Sequence, residues 1–98
     1  MIVIGKGDFV GAPPQMEVRR RPAAGTSVEL HVEDLQGPVR IRVSTRGNTL
    51  LSHDCPDPPC HEWFQIPSTA AGDEVSVHVV DGHGGELHQS FSVGAPIP

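Results

Sequence analysis

Apolar residues recur at every second position in three stretches of this chain and, with one interruption, in a fourth. A period of two is the signature of a half-buried β-strand and does not fit a helix. Ser27 to Val32 puts Val28, Leu30 and Val32 on one side and Glu29 and His31 on the other. Val39 to Ser44 puts Val39, Ile41 and Val43 opposite Arg40 and Arg42. Glu74 to Val80 aligns Val75, Val77 and Val79. Leu87 to Val93 aligns Leu87, Phe91 and Val93, with Gln89 on the same side, where a buried amide needs a hydrogen-bond partner. No window keeps apolar residues at the i, i+3, i+4, i+7 spacing of an amphipathic helix.

Punctuation between these stretches supports the same reading. Eleven glycines and ten prolines stand in 98 residues, mostly between the alternating runs. Arg46-Gly47-Asn48 is a tight-turn signal, since Gly and Asn tolerate positive φ. Asp81 to Gly85 reads as a hairpin loop. Weaker strand signals lie at Met16 to Arg20, Thr49 to Ser52 and His61 to Ile66, with Phe64 and Ile66 on one side and Trp63 on the other. About seven short strands with turn signals every 8–12 residues or so predict an all-β, antiparallel sandwich of immunoglobulin or fibronectin type. The long Cys…Trp…Cys spacing of antibody domains is missing. Residues 1–98 are read as one such domain, with residues 1–14 leading in and residues 94–98 as an exit tail.

Bulk properties narrow the function classes. No apolar run reaches the roughly 18 residues of a membrane span, and no basic start followed by an apolar core reads as an export signal. A net charge of −5 argues against a nucleic-acid partner, which wants a basic stripe. Arg19-Arg20-Arg21 is too short a run to change that and is read as a solvated strand edge. Three phenylalanines, one tryptophan and no tyrosine leave too few aromatics for a sugar-binding platform. Neither G-x-S-x-G nor H-E-x-x-H occurs, and no acid, base or nucleophile set converges, so the chain is read as non-enzymatic and without a cofactor.

The most distinctive segment is His53-Asp54-Cys55-Pro56-Asp57-Pro58-Pro59-Cys60-His61. Three readings compete for it. Cys55 and Cys60 form a disulfide across a proline-stiffened loop; or His53, Cys55, Cys60 and His61 hold a soft metal such as zinc; or the two thiols are free. The spacing matches no known zinc finger, and adjacent Cys60 and His61 would point oppositely on a strand. Among the other histidines, His78 and His88 fall opposite each other if the last hairpin centres on His83. His31, between Glu29 and Glu33, reads as a solvated surface residue.

Four pieces together resemble an immunoglobulin-like domain found after the catalytic barrel of some bacterial PHP-domain metallohydrolases. They are Ile4 to Pro13 with its glycine-flanked Phe9-Val10 pair; Ala24 to Val28; Gly37 to Ser44 followed by Gly47 to Leu50; and Trp63 to Pro67 with the Val75 to Phe91 hairpin. The cysteine loop departs from that pattern. In the family, catalysis belongs to the barrel, so no catalytic residue carries over. The resemblance implies an accessory or interaction module of a larger bacterial protein, with a protein partner, either a neighbouring domain or a subunit. Phe9, Val10 and Asp57 are the expected contact residues. The alternative is a small metal-binding or redox protein built on His53, Cys55, Cys60 and His61.

Overall fold

A computed structural model of the chain describes residues 1–6, 14–33, 35, 37–57, 59–82 and 84–95. It contains eight strands: β1 (Ile2–Lys6), β2 (Pro14–Val18), β3 (Ser27–Val32), β4 (Val39–Thr45), β5 (Asn48–Cys55), β6 (Cys60–Gln65), β7 (Glu74–Val80) and β8 (Glu86–Ser92). They form two four-stranded sheets, ordered β2-β1-β3-β6 and β5-β4-β7-β8. Every strand pairing is antiparallel except β1 with β3, which is parallel. No helix occurs among the described residues.

Alternation places the core as the sequence implies. Val28, Leu30 and Val32 of β3, Val39, Ile41 and Val43 of β4, and Val75, Val77 and Val79 of β7 are all buried in one apolar cluster between the sheets. Stiff β-branched side chains suit this pleated, inward-facing surface. The one buried threonine, Thr45, donates its hydroxyl to the Glu74 carbonyl at 2.9 Å, so its burial leaves no polar group unpaired.

Three local differences from the sequence reading have a common cause in strand pairing. Met1 to Ile4 is an apolar run that belongs to an eighth strand, β1. It lies inside its sheet, paired on both sides, with Ile2 and Ile4 fully buried. Pairing with β1 from Lys6↔Pro14 to Ile2↔Val18 then sets β2 two residues earlier than the expected Met16 to Arg20. The short strand expected at Thr49 to Ser52 extends to Cys55, because β4 continues to pair with it through Arg40↔Asp54 and Val39↔Cys55. His53 and Cys55 therefore sit on a strand and not in a loop.

Gln89 escapes the expected burial cost. It lies opposite Val77, yet is exposed, because β8 is an edge strand and only part of its inward side is covered. In the β4–β5 turn the positive-φ residues are Arg46 (φ 48°) and Gly47 (φ 76°), while Asn48 starts the next strand. Both central residues in the left-handed region make this the hairpin turn whose twist matches the flanking strands.

The two open sides of the sandwich are closed differently. On one side, Ala23 bridges Gly94, with Gly94 N–H donating to Pro22 O at 2.8 Å and Ala24 N–H to Gly94 O at 3.1 Å. On the other, β5 and β6 are the edge strands of their sheets, and the cysteine loop joins them.

Candidate functional site

Strand register assembles a cluster that spans two strands of the first sheet. On β3 the residues facing away from the core are Ser27, Glu29 and His31, and on β6 they are His61, Trp63 and Gln65. The antiparallel register sets His31 directly beside His61 and Glu29 beside Trp63. Cross-strand neighbours on one sheet face have Cβ atoms about 4.5–5.5 Å apart, which forces these side chains into contact.

The contacts converge on one oxygen. Glu29 Oε1 lies 2.6 Å from His31 Nε2 and 2.7 Å from His61 Nε2. An ionised carboxylate only accepts, so His31 donates its Nε2–H to it in a hydrogen bond, while His61 Nε2 reaches the same oxygen less directly. The two rings stack with centroids 4.2 Å apart and planes 28° from parallel. Trp63 continues the row, its ring 5.7 Å from that of His61. Side-chain exposures of 29% for Glu29, 32% for His31 and 46% for His61 leave the cluster open to solvent on one side. Trp63, at 57%, is the large apolar residue left exposed among the described residues.

The hydrogen bond from His31 is the main cause holding the Glu29 carboxyl below its ordinary value of 4.5. Partial desolvation opposes that shift, and the charges of His31 and His61, with the His61 hydrogen bond, add to it. Glu29 thus stays ionised in a site that gathers three metal-ligating atoms within 4.8 Å of one another.

The cysteine segment is arranged otherwise. Cys55 and Cys60 form a disulfide with Cα atoms 6.4 Å apart, and no free cysteine remains. The expected metal set of His53, Cys55, Cys60 and His61 is not brought together. Both sulfurs are bonded to each other, so neither is a thiolate. His53 faces into the sandwich and reaches Glu62 at 3.0 Å, while His61 faces outward to Glu29. Period-two alternation separates Cys60 from His61, which is the geometric reason the four do not meet. Asp57 is exposed in the short loop between the cysteines. Phe9 and Val10 lie outside the described residues.

On the second sheet, His78 and His88 are cross-strand partners, with centroids 5.5 Å apart, and His78 Nε2 lies 2.5 Å from Glu86. Arg40 pairs with Asp54 at 3.3 Å beside a groove of about 330 Å³ that Val39, Val80 and Gly82 also line. Arg19 pairs with Glu17 at 3.4 Å, and Arg21 reaches Ser92 at 3.4 Å.

Sequence reasoning passed over the Glu29–His31–His61 cluster. Two of its members, Glu29 and His31, are visible as an i, i+2 pair on one strand face. The third is thirty positions on in the chain, and only the β3–β6 register joins it to them. Compared with known protein families, curated proteins and solved structures, the chain matches none.

Proposed function

We propose that this chain is a non-catalytic interaction module, an immunoglobulin-like β-sandwich that presents the outer β3–β6 face to a protein partner. The observation that carries the reading is Trp63, more than half exposed at the centre of a rigid, paired strand and flanked by polar side chains. Tryptophan supplies large contact area at low entropy cost and is enriched among the residues that dominate protein interfaces. A strand paired along its length holds such an anchor in place before binding.

Strand order supports the immunoglobulin-like part of the reading. Consecutive strands β3 and β4 lie in different sheets, as do β5 and β6, and β6 and β7, so the chain crosses between layers as in Greek-key sandwiches. The parallel β1–β3 pairing, with β2 outside it, is a variation at one edge. The sequence resemblance to the domain appended to PHP-type metallohydrolases names the remainder of a larger bacterial enzyme as the partner to test first.

The test is binding between the isolated chain and the rest of its parent protein, by size exclusion and by pull-down. Association that weakens with Trp63→Ala, while the variant keeps its β-sheet circular dichroism, is the expected result. Absence of association, or association indifferent to Trp63→Ala, overturns the proposal.

A further inference from the structure

We infer that Glu29, His31 and His61 form a binding site for a divalent first-row transition ion of the zinc class on the outer face of β3 and β6. The inference is independent of the interaction-module reading, since it concerns what the isolated chain itself binds.

Donor chemistry comes first. Two imidazoles and one carboxylate are a ligand set that suits zinc and its neighbours, and two histidines with one acid recur in metal sites that keep positions open. Both Nε2 atoms lie close to one point, now held by Glu29 Oε1, at 2.6 and 2.7 Å, and His31 is directed at it. Zinc takes imidazole nitrogens at about 2.0–2.1 Å and carboxylate oxygens at about 2.0–2.2 Å. An ion at that convergence therefore requires the Glu29 carboxylate to swing aside by roughly one bond length, and the two stacked rings to turn about their side-chain torsions until both Nε2 lone pairs face it. Each neutral imidazole then carries its proton on Nδ1 and offers the Nε2 lone pair.

Preorganisation is the second strand of support. All three ligands stand on two paired strands, with His31 and His61 in direct register and Glu29 two residues from His31. The backbone spacing that a metal needs is thus set by the sheet, and only side-chain torsions remain to be ordered. Exposure on the outer face leaves the remaining coordination positions to water, and the net charge of −5 favours a cation. By contrast, the three atoms of the His78–His88–Glu86 group do not gather in this way, and among the described residues the Glu29 set is the group that does.

The experiment uses the whole chain and Trp63, its single tryptophan, as reporter. Zn²⁺ is titrated calorimetrically, and Ni²⁺ is followed by Trp63 fluorescence, with circular dichroism confirming the fold of each variant. The expected result is uptake of one Zn²⁺ per chain and quenching by Ni²⁺ that Zn²⁺ reverses. Losing an outer-shell partner of a metal site typically costs roughly 10–100-fold in affinity, so His31→Ala, His61→Ala and Glu29→Gln, which remove direct ligands, each weaken binding by at least about tenfold. Glu29→Gln keeps the side-chain shape and tests the carboxylate without disturbing packing. His88→Ala, on the other sheet, leaves affinity unchanged. No saturable uptake by the folded chain overturns the inference. So does affinity that falls with His88→Ala and is indifferent to His61→Ala.

Discussion

His53 Nε2 stands 3.0 Å from a Glu62 carboxylate oxygen, and the two residues belong to different sheets. His53 points inward from β5 and Glu62 inward from β6, each from an edge strand. Two residues further along each strand, toward the loop, Cys55 and Cys60 are bonded. This polar contact and the disulfide together close one open side of the sandwich, where apolar side chains would otherwise meet water.

Breaking that bond lowers stability by a bounded amount. The cross-link closes a loop of sequence separation 5, for which the chain-entropy account gives about 2 kcal/mol. Urea unfolding of Cys55→Ser/Cys60→Ser against the oxidised chain is expected to show a loss of that size. Cooperative unfolding is expected to persist, because the apolar core between the sheets does not depend on the bond.

Glu29 makes stability and titration pH-dependent in a defined direction. Its carboxyl is held below the unfolded value of 4.5, so folding favours the ionised form. Stability from this group is present above pH 4.5 and is lost as the pH falls through the lower folded-state value. NMR titration of the Glu29 side-chain carboxyl is expected to give a midpoint below 4.5. His31→Ala, which removes the largest cause of the shift, moves that midpoint back up.

Burial separates two residues on one inward sheet surface. Ile41 is fully buried at the centre of its sheet, and truncating such a residue costs about 2–5 kcal/mol. Gln89, on the inward side of β8, is exposed. Denaturant melts are expected to show Ile41→Ala strongly destabilised and Gln89→Ala within about 0.5 kcal/mol of the parent.

Two turn glycines differ in why they resist substitution. Gly47 has φ +76° and open space around a would-be Cβ, so Gly47→Ala carries backbone strain alone, roughly 1–2 kcal/mol. A Cβ on Gly85 would meet Asp81 Oδ2 at 2.8 Å, and Gly85 N–H donates to Asp81 Oδ1 at 2.7 Å. Asp81 is buried, so it has little room to give. Gly85→Ala is expected to unfold at lower urea than the parent by an overpacking cost of about 1–3 kcal/mol.

Much of this molecule was legible from local pattern. Period two in β3, β4 and β7 named their inward residues, and the placement of His78 opposite His88 followed from the hairpin between β7 and β8. Arg40 and Arg42 were rightly placed on the solvent face, with Arg40 meeting a cross-strand carboxylate. These features depend on residues a few positions apart or joined by one tight turn, where strand parity is enough.

What the tertiary structure decided involves pairing across distance. β1 is too short to announce itself as an interior strand, and becomes one because β2 and β3 satisfy its backbone on both sides. His53 and His61 look like companions in the cysteine segment, yet the two strands turn them to opposite sides of their layers, one to Glu62 and the other to Glu29. The outer-face cluster exists only because β3 and β6 pair with His31 level with His61. A slip of one residue would carry His61 to the core side. In β3, β4 and β7 the sequence alone determined which residues face the core and which face water. Long-range register, set by how the two sheets bury their apolar sides together, determined which of the water-facing residues meet.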